Sequence, residues 1–374
     1  VSAPIYLDYQ ATTPLAPEAY AAMRPWLGEG YGNPHSPHRL GREAKAAVEI
    51  ARDAVVAALG LAGGELVFTG GATEAINLAL KGVAFAAPAG RRKIVTIATE
   101  HAAVLDSVAW LARQGFEAVV LPVDERGLVD LDGAAAAIDD RTAIVAAMLV
   151  NNEIGVIQPV AELAALARAV GALLLCDAVQ GFGRIDVPGA DLVALSAHKI
   201  HGPKGVGALW VKAGTAIEPV MHGGGQEGGL RSGTVSPALC AGFGAAVRLA
   251  AERREADAAH VERLWSMARE RLAGWVLNGD SQRRYHGNIN VRREGSMEAS
   301  RLISEVRGVA FSAGSACASG SGRPSHVLKA IGLSEPQARA SIRLGFGRYT
   351  SEGELGEALD LIEAAAERQG LAAA

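Results

Sequence analysis

Residues 192–205 read Leu192-Val-Ala-Leu-Ser-Ala-His-Lys-Ile-His-Gly-Pro-Lys-Gly205. A short apolar run leads into Ser196-Ala197-His198-Lys199 and breaks at Gly202-Pro203. The run predicts a buried strand, and the Gly-Pro pair ends it. Lys199 then stands at the carboxyl end of a strand, where open α/β sheets bind ligands. A lysine held there can form a Schiff base with an aldehyde. An ordinary surface lysine would fit the same residues, so the flanking sequence has to decide. His198 and His201 suggest a metal pair, but no third ligand has matching spacing.

Outward from this stretch, apolar and β-branched runs alternate with helical patterns. Strands are predicted at 65–69, 93–98, 117–123, 143–150, 172–176, 191–196 and 207–211, with helices at 73–85, 102–114 and 160–170. Such alternation predicts an α/β domain with a mostly parallel seven-stranded sheet. Several strands are near-continuous apolar runs, as expected when both sheet faces are covered. After about Pro237 the pattern changes. An Ala/Arg/Glu-rich stretch at 238–272 predicts one or two helices. Strands at 288–291, 309–312 and 341–346 and helices at 324–331 and 352–367 then predict a smaller α+β domain. The division expected is 15–250 for the large domain, with 1–14 and 251–374 forming the small one.

Bulk properties exclude several classes. The 374 residues carry 36 basic and 40 acidic side chains, a net charge of −4. That balance gives no footprint for nucleic acid. No apolar stretch is long enough to span a bilayer, and the first residues show no secretory pattern. A cytoplasmic enzyme is the expectation. The three cysteines are widely spaced, which argues against a zinc or dithiol motif. Cys176 and Cys240 lie in apolar runs and are expected to be buried. Cys317 differs: Ser312-Ala-Gly-Ser-Ala-Cys-Ala-Ser-Gly-Ser-Gly322 surrounds it with small residues that cannot wall off a thiol. An exposed, reactive thiol on a mobile segment is expected there.

Other motifs are weak singly. In Leu175-Cys-Asp-Ala-Val-Gln180, Asp177 follows an apolar run and needs a partner when buried. A protonated pyridine nitrogen would supply one. In Phe68-Thr-Gly-Gly-Ala-Thr-Glu-Ala-Ile-Asn77, a glycine pair turns and Thr73 opens a helix whose free N–H groups suit a phosphate. His101, in Thr99-Glu-His-Ala-Ala103, suits proton transfer or capping. Val150-Asn-Asn-Glu-Ile-Gly155 carries Asn152. His222-Gly-Gly-Gly-Gln-Glu-Gly-Gly-Leu-Arg-Ser-Gly-Thr234 is a loop long enough to reach a partner subunit.

Taken in order, with Tyr6-Leu-Asp-Tyr-Gln-Ala-Thr-Thr-Pro14, Gly32-Asn-Pro34 and Ser341-Ile-Arg-Leu-Gly-Phe-Gly-Arg348, these motifs make the chain resemble the NifS/IscS-like cysteine desulfurases. These are class V, fold-type I enzymes dependent on pyridoxal 5′-phosphate (PLP). The resemblance implies that Lys199 carries PLP and later moves the Cα proton, while Asp177 holds the ring nitrogen and Gln180 the phenolic oxygen. By the same resemblance, His101 stacks on the ring and shuttles protons. Ala72, Thr73, Ser196 and His198 hold the phosphate, joined by Thr234 of the other subunit in a homodimer. Asn152 contributes to cofactor binding and, with Arg343, takes the substrate carboxylate. The implied reaction converts L-cysteine to L-alanine and moves sulfur to Cys317 as a persulfide. An acceptor or iron–sulfur scaffold protein would take it onward, most simply for iron–sulfur cluster assembly. The alternatives are a selenocysteine lyase and a sulfur donor for tRNA thiolation or cofactor synthesis. No intrinsic metal is implied, although Cys317 could ligate a transferred iron–sulfur cluster.

Overall fold

The computed structural model describes residues 3–293, 295, 297–314 and 325–371. In chain order, strand β1 (Ile5–Tyr6) precedes helices α1 (Pro17–Leu27) and α2 (Arg39–Leu59). Then come β2 (Gly64–Thr69), α3 (Ala72–Ala86), β3 (Lys93–Ile97), α4 (Ala102–Arg113), β4 (Glu117–Leu121) and α5 (Leu131–Ala137). They are followed by β5 (Thr142–Met148), α6 (Val160–Ala169), β6 (Leu173–Asp177), β7 (Leu192–Ser196) and β8 (Gly207–Lys212). The remainder holds α7 (Pro237–Arg271), β9 (Val276–Leu277), β10 (Asn288–Arg292), α8 (Ala299–Glu305), β11 (Val309–Ala310) and β12 (Ser312–Ala313). Helices α9 (His326–Ala330) and α10 (Glu335–Arg339), strand β13 (Ser341–Gly345) and helix α11 (Glu352–Leu371) complete it.

The main sheet has seven strands in the order β2-β8-β7-β6-β5-β3-β4. All pairings are parallel except those of β8, which runs antiparallel to β2 and β7. The apolar strands β3, β5 and β7 are buried along their whole length, because helices cover both faces. One cluster joins α2, α6 and the start of α7 to one face, through residues such as Val55, Leu163 and Phe243. Another joins α3 and α4 to the opposite face through Ile76, Leu80 and Val108. These layers leave the carboxyl ends of β5, β6 and β7 side by side.

A four-stranded sheet, β12-β13-β10-β9, forms over a third cluster built from Trp265, Ile289, Leu344 and Ile362. Leu7, from the first residues of the chain, belongs to that cluster. Three expectations change. The stretch at 238–272 is one helix, capped by the Ser236 side chain, which accepts from the Leu239 N–H. The strand expected at 309–312 divides at Phe311. Val309–Ala310 pairs in parallel with β1, and Ser312–Ala313 pairs antiparallel with β13. The helix expected at 324–331 begins at His326, where Ser325 caps it by accepting from Leu328 N–H. Helices α1 and α2 add to the expected elements. In α2 the buried positions 41, 44, 48, 51, 55 and 59 fall on one stripe, the spacing of an amphipathic helix.

Candidate active site

The carboxyl ends of the central strands open into a cavity of about 900 Å³. Lys199 enters it from a single 3₁₀ turn, Ala197–Lys199, that follows β7 directly. Its Nζ donates to the carbonyl of Ala11 at 2.8 Å and also to that of Gln10. The N-terminal segment is laced onto this turn. Thr13 Oγ1 donates to the His198 carbonyl at 2.9 Å and accepts from the His201 N–H at 2.8 Å. The lysine therefore projects from a backbone fixed on two sides.

Asp177 ends β6 and is 5% exposed. Its Oδ1 accepts from the Val179 N–H at 3.0 Å. Burial pushes its pKa up, while His101 and Lys199 pull the other way. Beneath it Glu100 is fully buried, and its Oε1 accepts from the Met148 N–H at 2.6 Å. Burial first, then the neighbouring Asp177 charge, drives the Glu100 carboxyl well above the ordinary range. Of the two acids, Asp177 is the one that lines the cavity and can meet a cationic partner there.

His101 is the N-cap of α4, with Nδ1 accepting from the Ala103 N–H at 3.1 Å. That bond places the proton of the neutral ring on Nε2. Burial holds its pKa below the ordinary value, with Asp177 opposing and Lys199 adding to the effect. His198 is held to about 4, by burial first and then by Lys199, and its Nδ1 meets Thr12 Oγ1 at 3.1 Å. Burial thus favours the neutral form of both imidazoles.

The glycine turn before α3 forms the cavity's other wall. Gly71 has φ 154°, a conformation that side chains rarely adopt. It frees the N–H groups of Ala72 and Thr73 at the helix start, and both residues line the cavity. A Cβ at Gly207, the first residue of β8, would lie 2.7 Å from the Gly71 carbonyl carbon and 2.5 Å from the Leu195 oxygen. Strand β8 therefore supports the turn by direct backbone contact. Ser196, at the end of β7, lines the same wall.

Gln180 also lines the cavity; its Nε2 donates to the Gln10 carbonyl at 3.0 Å, and its Oε1 accepts from Arg184 at 3.0 Å. Asn152 and Arg343 meet across the cavity floor, where Arg343 Nη1 donates to the Asn152 carbonyl at 3.0 Å. Thr234 stands apart: it is exposed and does not line the cavity of its own chain. Cys317 lies outside the described residues. The described residues on either side are held by the small sheet and by Glu153 and Glu100. Gly314 N–H donates to the Ser341 carbonyl at 2.8 Å, and its own carbonyl accepts from Asn290 Nδ2 at 3.1 Å. On the other side, Ser325 bonds Glu153, and His326 Nε2 meets the Glu100 carbonyl at 2.9 Å. Cys176 and Cys240 are both buried, and burial raises both thiols, Cys240 to about 12. Among the described residues, no group of three or more His, Cys, Asp or Glu is placed to hold a metal.

Sequence reading missed Asp8, Gln10, Glu100 and His326. Glu100 adjoins His101 in the sequence, but a lone acid at a helix start resembles a simple favourable charge. Asp8 and Gln10 sit in a segment with no chemistry-bearing spacing of its own.

The donor set fits PLP. The cavity offers an amine for the aldehyde, helix-start N–H groups for a phosphate, and a buried acid lacking a full counter-charge for a protonated ring nitrogen. Comparison with known proteins agrees. Residues 5–357 match the class-V aminotransferase family. The chain is 43% identical over 370 residues to the cysteine desulfurase IscS of Rickettsia rickettsii, covering 96% of this chain and 90% of that protein. Among solved structures, a NifS-like protein superposes with a TM-score of 0.91 at 34% identity, over 98% of this chain and 100% of the other. SspA, solved in complex with cysteine, superposes with a TM-score of 0.83 at 34% identity, over 92% and 99%. The matched range takes in every motif that meets at the cavity, and the chain belongs to the class-V aminotransferase family, among its NifS- and IscS-like PLP-dependent cysteine desulfurases.

Proposed function

We propose that the chain takes L-cysteine, releases L-alanine and passes the sulfur through Cys317 to an acceptor protein. The observation that carries this reading is the convergence of Lys199, Asp177, His101 and the Gly71–Thr73 turn on one cavity. When bound, PLP withdraws electron density from the substrate carbon. Lys199 holds the cofactor and moves the Cα proton. Asp177 keeps the ring nitrogen protonated, and Gln180 bonds the phenolic oxygen. Ala72, Thr73, Ser196 and His198 hold the phosphate, with Thr234 of a second subunit. Arg343, which suits bidentate carboxylate recognition, takes the substrate carboxylate beside Asn152.

The Cys317 thiol gives up its proton, and the thiolate attacks the substrate sulfur. The C–S bond breaks, an S–S bond forms, and a proton completes the methyl group of alanine. Cysteine and thiol thus become alanine and persulfide, with atoms and electrons balanced. The family likeness supports iron–sulfur assembly as the destination and the cytoplasm as the place. Among the described residues no helix is long and apolar enough to cross a membrane.

The test is alanine production from cysteine, with and without an iron–sulfur scaffold protein. Cys317→Ser should keep bound PLP and lose persulfide formation. Unimpaired sulfide release by that variant would remove Cys317 from the mechanism and favour the selenocysteine lyase reading.

A further inference from the structure

Arg343 already holds a carboxylate of its own chain. Arg343 is buried, and its Nη2 donates to Asp8 Oδ1 at 2.6 Å. Nη1 is taken by the Asn152 carbonyl at 3.0 Å, and the buried Nε has no hydrogen-bond partner. A guanidinium recognises a carboxylate best through two parallel N–H bonds. With Asp8 and, at 3.4 Å, the Ser312 hydroxyl both on Nη2, the nitrogen common to both paired edges, no such pair is open. A buried arginine with no counter-charge is strongly unfavourable, which explains why an acid of the chain is there. The Asp8 backbone is fixed, since it bridges to Gly345 at the end of β13 and its carbonyl accepts from Tyr6 Oη at 3.1 Å. Its side chain is less constrained, at 19% exposure against 1% for Arg343.

We propose that Asp8 is a built-in competitor for the carboxylate site. It neutralises Arg343 until a ligand carboxylate displaces it, and the exchange swaps one anion for another in the buried site. The affinity for every α-carboxylate ligand is lowered by the fraction of molecules in which Asp8 holds the arginine. A ligand with no carboxylate cannot displace it and gains nothing. The inference rests on Arg343 as the carboxylate anchor.

The experiment titrates wild-type and Asp8→Asn holoenzyme with L-alanine and with L-alaninamide, following heat of binding and melting temperature. Where Asp8 holds the arginine in most molecules, its removal should tighten L-alanine binding about tenfold. L-alaninamide binding should not change. The melting temperature of the variant should fall without ligand and rise more than the wild type's on adding L-alanine. A merely structural Asp8 would lower the melting temperature without tightening any ligand. Unchanged or weaker L-alanine binding in Asp8→Asn, beside normal alanine production by the wild type, overturns the competition alone. Failure of both proteins to bind L-alanine removes Arg343 as the anchor, and this inference with it. Asp8→Ser serves as the second variant if the asparagine form does not fold.

Discussion

His201 shows how the lysine turn is held. It is a non-glycine residue at φ 68°, 7% exposed, with Nδ1 donating to the Pro14 carbonyl at 2.9 Å. The rings of Tyr9 and Tyr349 meet it edge-on at 5.8 and 4.9 Å. Burial, followed by the Arg348 charge, holds its imidazole to about 4. The folded pKa lies below the unfolded value, so the unfolded chain takes the proton first as pH falls. The stability from the neutral ring is whole above about pH 6.5 and drains between there and 4. At pH 5 that amounts to about 2 kcal/mol. Asparagine tolerates the left-handed backbone, so His201→Asn should flatten the pH dependence by about that amount. Urea unfolding of the holoenzyme at pH 7.5 and 5 measures it. His198, depressed in the same direction, leaves a residual slope. At this scale the sequence revealed what was local. The Ser-x-His-Lys turn, the acid at a strand end and the helix-start histidine are each written in a few consecutive residues. The Asp8–Arg343 pair spans 335 positions, and only the fold brings its members together.

Among the elements, the seven main strands were legible because burial on both faces leaves continuous apolar runs. The direction of β8 was not, since an apolar run carries no sign of polarity. The short strands around Phe311 were blurred for another reason. Two residues on either side of it serve different sheets, and so brief a run shows no alternation. Strand β8 also supplies a prediction. Alanine at Gly207 would press on the Gly71 backbone and the Leu195 carbonyl, an overpacking of about 1–3 kcal/mol. Gly207→Ala should weaken PLP binding about tenfold while leaving secondary structure intact. Equilibrium dialysis against PLP, with circular dichroism as the control, reads both. The loop that carries Thr234 is likewise anchored within its own chain. Glu227, 4% exposed at its side chain, accepts from Arg52 at 2.8 Å and from the Phe68 N–H at 2.7 Å. The loop, which runs between β8 and α7, is thereby tied to β2.

At the scale of the whole molecule, the exposed position of Thr234 makes the proposed dimer testable. Inactive Lys199→Ala and impaired Thr234→Ala subunits, unfolded and refolded together, pair at random. If Thr234 acts across the interface, each mixed dimer regains one intact site, and activity should return to about a quarter of the wild type's. No recovery would assign Thr234 to its own chain's site. Helix α7 ties the molecule together differently. Its first half is buried with the main sheet through Cys240, Phe243 and Val247, and its last turns with the small sheet through Leu264, Trp265 and Ala268. Between them nearly every residue from 251 to 260 is exposed or half-exposed. This solvated stretch is a strut, and a helical strut fixes a phase as well as a length. One inserted residue there would turn one core against the other by about 100° while separating them by only about 1.5 Å. Arg343 would swing away from Lys199 although neither residue, nor any neighbour of either, had been altered.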